Sequence, residues 1–325
     1  MLVAAWDTAT GELSFALARS GPVPPGGQEG AGPQGGPAAG DGAGPQAARD
    51  AGAAKEAAAW ARAAGLEILF RARGEGGAAH SGVLPPLAAR ALAEGGHEPS
   101  DLGLVCAGRG PGSFTGLRTG LAFAKGLAMG ARCPAVGVPT LEALAAAVAL
   151  PAGILAPVLD ARRGEVFTAL YLTAERPLEA PEGGPKPAGA GIAKAPGGLP
   201  APLPLAPPAP PRALTGILAL APAAFHETLA GILRDLGRQV PPLPEGPCLT
   251  LGPGSPLLPS PPDGFRAGPE EGPDSAVVAR LGLWRFLSRG DGPNPPLPLY
   301  GRSPEIFKTW RPPVRLAARE ALEGA

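Results

Sequence analysis

Two stretches of this sequence cannot build a core, and their positions dictate how the rest is divided. Residues 21–55 and 177–212 are almost wholly Gly, Ala and Pro, with scattered polar residues, no periodicity and few large apolar side chains. Such segments bury too little to offset the entropy of ordering them. The whole chain holds 50 glycines and 45 prolines in 325 residues, a non-periodic excess that marks structureless stretches. Both stretches are therefore expected to be flexible insertions, one in a domain of residues 1–150 and one in a domain of residues 151–325. Outside them, the 45% hydrophobic content is ample for a buried core. The Ala, Gly, Pro and Arg richness also matches the codon bias of a GC-rich genome, so composition alone decides little more.

Lys and Arg number 28, and so do Asp and Glu. With no net charge, no long-range field steers the chain to nucleic acid or to an anionic membrane. Cys106, Cys133 and Cys248 lie far apart, without a CxxC pair or a nearby His at metal-site spacing, and are expected to be reduced. The opening MLVAAWDTAT has no basic leader, and Asp7 interrupts its apolar run. No charge-free run of 18 apolar residues follows. A soluble, cytoplasmic protein without membrane association is expected.

Along the chain, the apolar run LVAAW, the turn residues Asp7 to Gly11 and the run Leu13–Ala18 predict a hairpin. Leu66–Arg73 would add a third strand. Apolar residues at helical spacing predict a helix over 82–94. A strand at 102–107 then leads through Gly108-Arg-Gly-Pro-Gly-Ser-Phe-Thr115 into a helix over 116–129. A strand at 136–138 and an Ala-rich helix over 140–150 close this half. The opening pattern recurs in an apolar strand at 154–159 ending in Asp160, a turn, and a strand over 165–172. Thereafter 215–220 and 248–251 read as strands, and 225–236 and 275–287 as helices. The remainder, from Pro293 to Pro313, is Pro-rich and extended.

The opening AWDTAT, the segment GRGPGSFTGLRTGLAFAKGLA (108–128) with GVPTLEALA (137–145), DARRGEVFTALY (160–171) and the terminal PLYGRSPEIF (298–307) together resemble the TsaB (YeaZ) family. This family supplies the dimerisation subunit of the bacterial machinery that makes threonylcarbamoyladenosine in tRNA. The resemblance spans about two-thirds of the chain, and the two insertions depart from it. It implies an α/β, actin-like ATPase fold (ASKHA, ribonuclease H-like) with two duplicated lobes. It also implies a TsaD-like catalytic partner, a TsaE-like ATPase, contact with tRNA only through the complex, and a capacity for homodimers.

Within this frame, Gly110 and Gly112 permit backbone that side chains would block, and Ser113 or Thr115 can cap the following helix, whose N-terminus favours an anion. With Asp7 and Thr8 they form a candidate nucleotide site. The alternative is a tight strand-to-helix turn whose glycines allow close packing, since the lysine of a P-loop is missing. Asp7 reads more readily as a turn residue binding backbone N–H groups. Asp160 reads equally as a second-lobe acid or as part of an ion-paired turn with Arg162, Arg163 and Glu165. Gly252 and Gly254 remain as an adenosine-loop candidate. His80, His97 and His226 are scattered, and surface or capping roles are expected. In the catalytic paralogue TsaD an HLEAH-like segment carries two metal-binding histidines. The corresponding residues here are Thr140 and Leu144, which cannot replace imidazole, so no metal, cofactor or catalytic residue is expected. An active ATP-dependent kinase or a metallopeptidase of the same superfamily is the alternative. The partner contact would use the helices 82–94 and 116–129, through Val83, Leu87, Ala91, Leu117 and Leu121, with Arg90 and Arg118 at the rim. Leu87 and Leu121 are expected to be exposed there, although the same apolar stripes also suit a core.

Overall fold

In the computed structural model, residues 1–21, 65–75, 80–148, 153–173, 210–239, 246–291 and 296–301 are described. The chain opens with β1 (Leu2–Asp7), β2 (Glu12–Ser20) and β3 (Leu66–Glu75), then α1 (His80–Glu94), β4 (Leu102–Gly108), α2 (Phe114–Ala131), β5 (Ala135–Val138) and α3 (Thr140–Ala146). It continues through β6 (Gly153–Arg162), β7 (Glu165–Thr168), β8 (Tyr171–Thr173), β9 (Arg212–Ala213) and β10 (Leu218–Leu220). Last come α4 (Phe225–Gln239), β11 (Cys248–Leu251), β12 (Phe265–Ala267) and α5 (Ser275–Arg289).

Two mixed sheets result. The first runs β3-β2-β1-β4-β5: β1, β2 and β3 are an antiparallel meander, and β4 and β5 run parallel to β1. In the second, β10-β7-β6-β11-β12, β6 is antiparallel to β7 and parallel to β11, which is parallel to β12. The start of β6 also pairs with β8, and β8 with β9. The expected single strand over 165–172 is thus two, because β6 turns from one partner to the other between Leu155 and Val158.

All six residues of β1 are buried, as a strand covered on both faces requires. Alternation sends Val3 and Ala5 to one side, where α5 contributes Val277, Leu281 and Trp284. Leu2, Ala4 and Trp6 face the other, against Leu84 and Ala88 of α1 and Leu121 and Ala124 of α2. Around the second sheet, α4 covers one face with Phe225 and Leu229. Against the other face lie Leu141, Leu144 and Ala145 of α3, while Ala143 and Ala146 of the same helix join the first core. Every residue of α3 is buried, so this short helix is shared between the sheets. Arg285 of α5 pairs with Glu142 of α3, both side chains about one-tenth exposed. Helix α5 is thereby tied to the junction while it packs on the first sheet.

The expected insertion 21–55 lies outside the described residues apart from Gly21, and 177–212 apart from 210–212, of which Arg212 begins β9. The end of the proline-rich tail, from residue 302, is also outside them. No described helix is long and apolar enough to cross a membrane.

Candidate functional site

Asp7 ends β1 with its side chain fully buried. One carboxylate oxygen accepts the Ala9 N–H at 2.7 Å, and the other accepts the Thr140 hydroxyl at 2.9 Å. Thr140 Oγ1 in turn accepts the Gly110 N–H at 3.2 Å, and the Thr140 N–H donates to the Gly110 carbonyl at 2.8 Å. Burial pushes the Asp7 carboxyl up to about 6, with the two hydrogen bonds pulling the other way. The turn role is what the geometry shows: Asp7 closes the hairpin turn and, through Thr140, ties it to the glycine loop.

The loop's donors are turned inward. Besides the Gly110 N–H, the Ser113 N–H donates to the Ala9 carbonyl at 2.6 Å, and the Gly116 N–H to Ser113 Oγ at 3.2 Å. Ser113 is therefore the N-cap of α2, not Thr115. Thr8 donates its hydroxyl to the Gly116 carbonyl at 2.8 Å, and a Cβ at Gly116 or Gly120 would collide with Thr8. The hairpin turn thus lies directly on α2, an approach that only glycine permits.

Of the candidate nucleotide residues, Gly112, Ser113 and Thr115 do face open space. With Thr10, Asp160 and Arg162 they line a cleft of about 430 Å³ between the two sheets, whose walls include Phe114 of α2 and Phe167 of β7. Asp7, Thr8 and Gly110 are not part of its lining. Asp160 accepts the Arg162 N–H at 2.7 Å and pairs with its guanidinium at 3.3 Å, the ion-paired turn among the two alternatives. Arg162 and Arg163 both have positive φ, 60° and 59°. Gly254 packs on Leu159, and Gly252 on the Val158 carbonyl and Leu144. These glycines serve a close approach to β6.

Thr140 and Leu144 are both interior. The Thr140 hydroxyl is occupied by Asp7, and Leu144 packs with Leu155, Leu159 and Leu251. Among the described residues no cluster of three or more His, Cys, Asp or Glu side chains is placed to hold a metal ion. His97 Nε2 lies 3.1 Å from Arg19 and its other ring nitrogen 3.6 Å from Asp101, a surface role as expected. His226 departs from that expectation: it is buried between Phe225 and Phe265, and burial lowers its pKa.

The helices 82–94 and 116–129 also need correction as exposed surfaces. Leu121, expected to be exposed, is 6% exposed and sits in the core with Trp6. Leu117 and Ala91 are wholly buried, and Leu87 is half-buried against the same cluster. The helical stripe identified from spacing is the core stripe of each helix. Val83, Arg90 and Arg118 remain exposed, and Met129 and Phe114, which periodicity did not single out, are exposed as well.

Residues 75–181 match the family model of TsaD, tRNA N6-adenosine threonylcarbamoyltransferase. The chain is 45% identical over 73 residues to the tRNA threonylcarbamoyladenosine biosynthesis protein TsaB of Bacillus subtilis, covering 22% of this chain and 32% of that protein. Over 95 residues it is 41% identical to the Escherichia coli TsaB, 28% of this chain and 41% of that one. It is 45% identical over 92 residues to a tRNA N6-adenosine threonylcarbamoyltransferase of Thermus thermophilus, 28% of each chain. The matched segment therefore spans about a third to two-fifths of the curated TsaB relatives. A Pseudomonas aeruginosa crystal structure described as similar to peptidase YEAZ superposes at a TM-score of 0.55 and 19% identity, over 93% of this chain and 99% of that one. The YeaZ structure from the same organism superposes at 0.54 and 19% identity, over 92% and 99%. The fold is that of a mixed α/β protein with two sheets, of which residues 75–181 are similar to the TsaD model, a domain of the ASKHA type. Over these segments the chain is similar to TsaB proteins, and its fold is that of the YeaZ structures.

Proposed function

We propose that this chain is a non-catalytic subunit of the tRNA threonylcarbamoyladenosine synthesis system, which scaffolds and activates a TsaD-like catalytic subunit. The observation that carries this is the fate of Thr140 and Leu144. Where the catalytic paralogue has metal-binding histidines, this chain spends one side chain on the Asp7 network and the other on the core. A Lewis acid would have no ligands at these two positions. The shared strand order of the two sheets supports a duplicated two-lobed design, divided at about residue 150, with α5 crossing back to the first lobe. Partner contact through α1 and α2 would rest on Val83, Arg90, Arg118 and the outer edge of Leu87. A TsaE-like ATPase would join the complex, tRNA would be met only there, and the free chain would form homodimers. Cytoplasmic residence follows from this role.

The test is complementation of a TsaB-depleted bacterium, with co-purification of a TsaD expressed from the same genome. Restored threonylcarbamoyladenosine together with a stable complex is expected. Failure of both would overturn the reading. One observation favours a second reading, an ATP-dependent kinase: the cleft lined by Ser113, Thr115 and Asp160. Turnover of ATP by the purified chain alone would establish that reading in place of the first.

A further inference from the structure

Residues 296–301 run outside both sheets yet touch both. The Leu299 N–H donates to the Arg109 carbonyl at 2.6 Å, next to the glycine loop. Two glycines of the first half and one of the segment itself make the approach. A Cβ on Gly110 would stand 2.7 Å from the Leu299 carbonyl oxygen, and one on Gly137 would stand 2.7 Å from Pro296 Cβ. One on Gly301 would stand 2.5 Å from the ring of Phe167. Gly110 also has φ +100°, which a residue with a Cβ adopts only under strain. Between these contacts, the Tyr300 ring lies 5.5 Å from Phe114, and its hydroxyl accepts the Arg118 Nε–H at 3.2 Å. Arg118 itself lies 3.7 Å over the Phe114 ring, a cation–π contact.

Phe114 and Phe167 form walls of the cleft, one from α2 beside the first sheet and one from β7 of the second. The segment therefore leans on both walls at once: Tyr300 against Phe114, Gly301 against Phe167. We propose that residues 296–301 are a strap that braces the two walls and sets the width of the cleft. Its hold is built to be local. Leu297 is 70% exposed and Tyr300 39%, so much of the strap's surface faces water, and segments with little buried surface open at lower free energy than the core does. Any partner that draws the terminal residues away would release both walls together. This inference does not depend on which partner or ligand the protein serves.

The test uses the full chain with Cys133→Ser, leaving the buried Cys106 and Cys248, and spin labels at Thr115→Cys and Arg162→Cys, two exposed positions on opposite sides of the cleft. Pulsed dipolar spectroscopy then reads the cleft width. Gly301→Val, which drives a side chain into Phe167, and Tyr300→Ala, which removes the brace on Phe114, are each expected to broaden the distance distribution and lengthen its mean, with cooperative melting retained. Unchanged distributions in folded variants overturn the proposal. If Gly301→Val does not fold, Tyr300→Ala decides, since it removes an exposed ring. Loss of folding in both would make the segment an integral part of the core and would equally overturn a releasable strap.

Discussion

At the scale of single residues, Asp7 is a wholly buried group whose ionisation bears on the fold. Its folded pKa, about 6, lies above the 3.8 of the unfolded chain. The contribution is therefore fully present below about pH 4 and is lost as the pH rises through about 6. At neutral pH the buried carboxylate costs roughly 3 kcal/mol. Asp7→Asn keeps an acceptor for the Ala9 N–H and should melt above the wild type at pH 7.5, with the gap shrinking toward pH 5. A gap that does not change with pH in thermal denaturation would sink this account. Glycines of one helix separate in the same way. Gly120→Ala sets a methyl group against Thr8, whose hydroxyl is fixed on Gly116, and should cost about 1–3 kcal/mol in urea denaturation. At Gly126 a Cβ would meet nothing within 4 Å, and Gly126→Ala should gain roughly 0.5–1 kcal/mol by the same measurement.

Among the elements, α1 and α2 show what periodicity can and cannot tell. Spacing located both helices to within two residues at each end, and it found the stripe carrying Ala91, Leu117 and Leu121. It could not say that this stripe faces β1 and β2 rather than a partner, because a core and an interface are lined by the same side chains. Leu121→Glu should therefore abolish cooperative folding, since it leaves an unpaired charge beside Trp6. Val83→Glu, at a position 42% exposed, should shift the melting temperature little and, on the proposed role, weaken binding to a TsaD-like partner measured by calorimetry. The hairpin, the glycine loop and the turn after Asp160 were legible because turn chemistry is local. The split of β7 from β8, the two-residue β9 and the three-residue β12 were not, because short strands are specified by the partner they pair with. The cleft was half legible. Ser113 and Thr115 announce themselves beside glycines, whereas Thr10 and Phe167 reach it only through tertiary folding.

For the whole molecule, the return of α5 to the first sheet means that the opening half of the sequence does not hold its own core. Val277, Leu281 and Trp284 cover Val3, Leu104 and Val136, and Arg71 of β3 pairs with Asp274 at the helix N-terminus. A fragment of residues 1–150 should aggregate or melt without cooperativity. Co-expression of residues 151–325 should rescue its solubility, and a soluble, cooperatively melting fragment alone would contradict this packing. The pairing of β2 with β3 has a different consequence. Ser20 stands opposite Leu66, and the Gly21 N–H donates to the Gly65 carbonyl at 3.2 Å, so the chain leaves and re-enters the sheet at adjacent points. The entropy of closing such a gap grows only with the logarithm of the length between. The rim of the first sheet is therefore a permissive port, where a lineage can lengthen or shorten its sequence, or an engineer can splice in a guest domain, while both ends stay zipped in register.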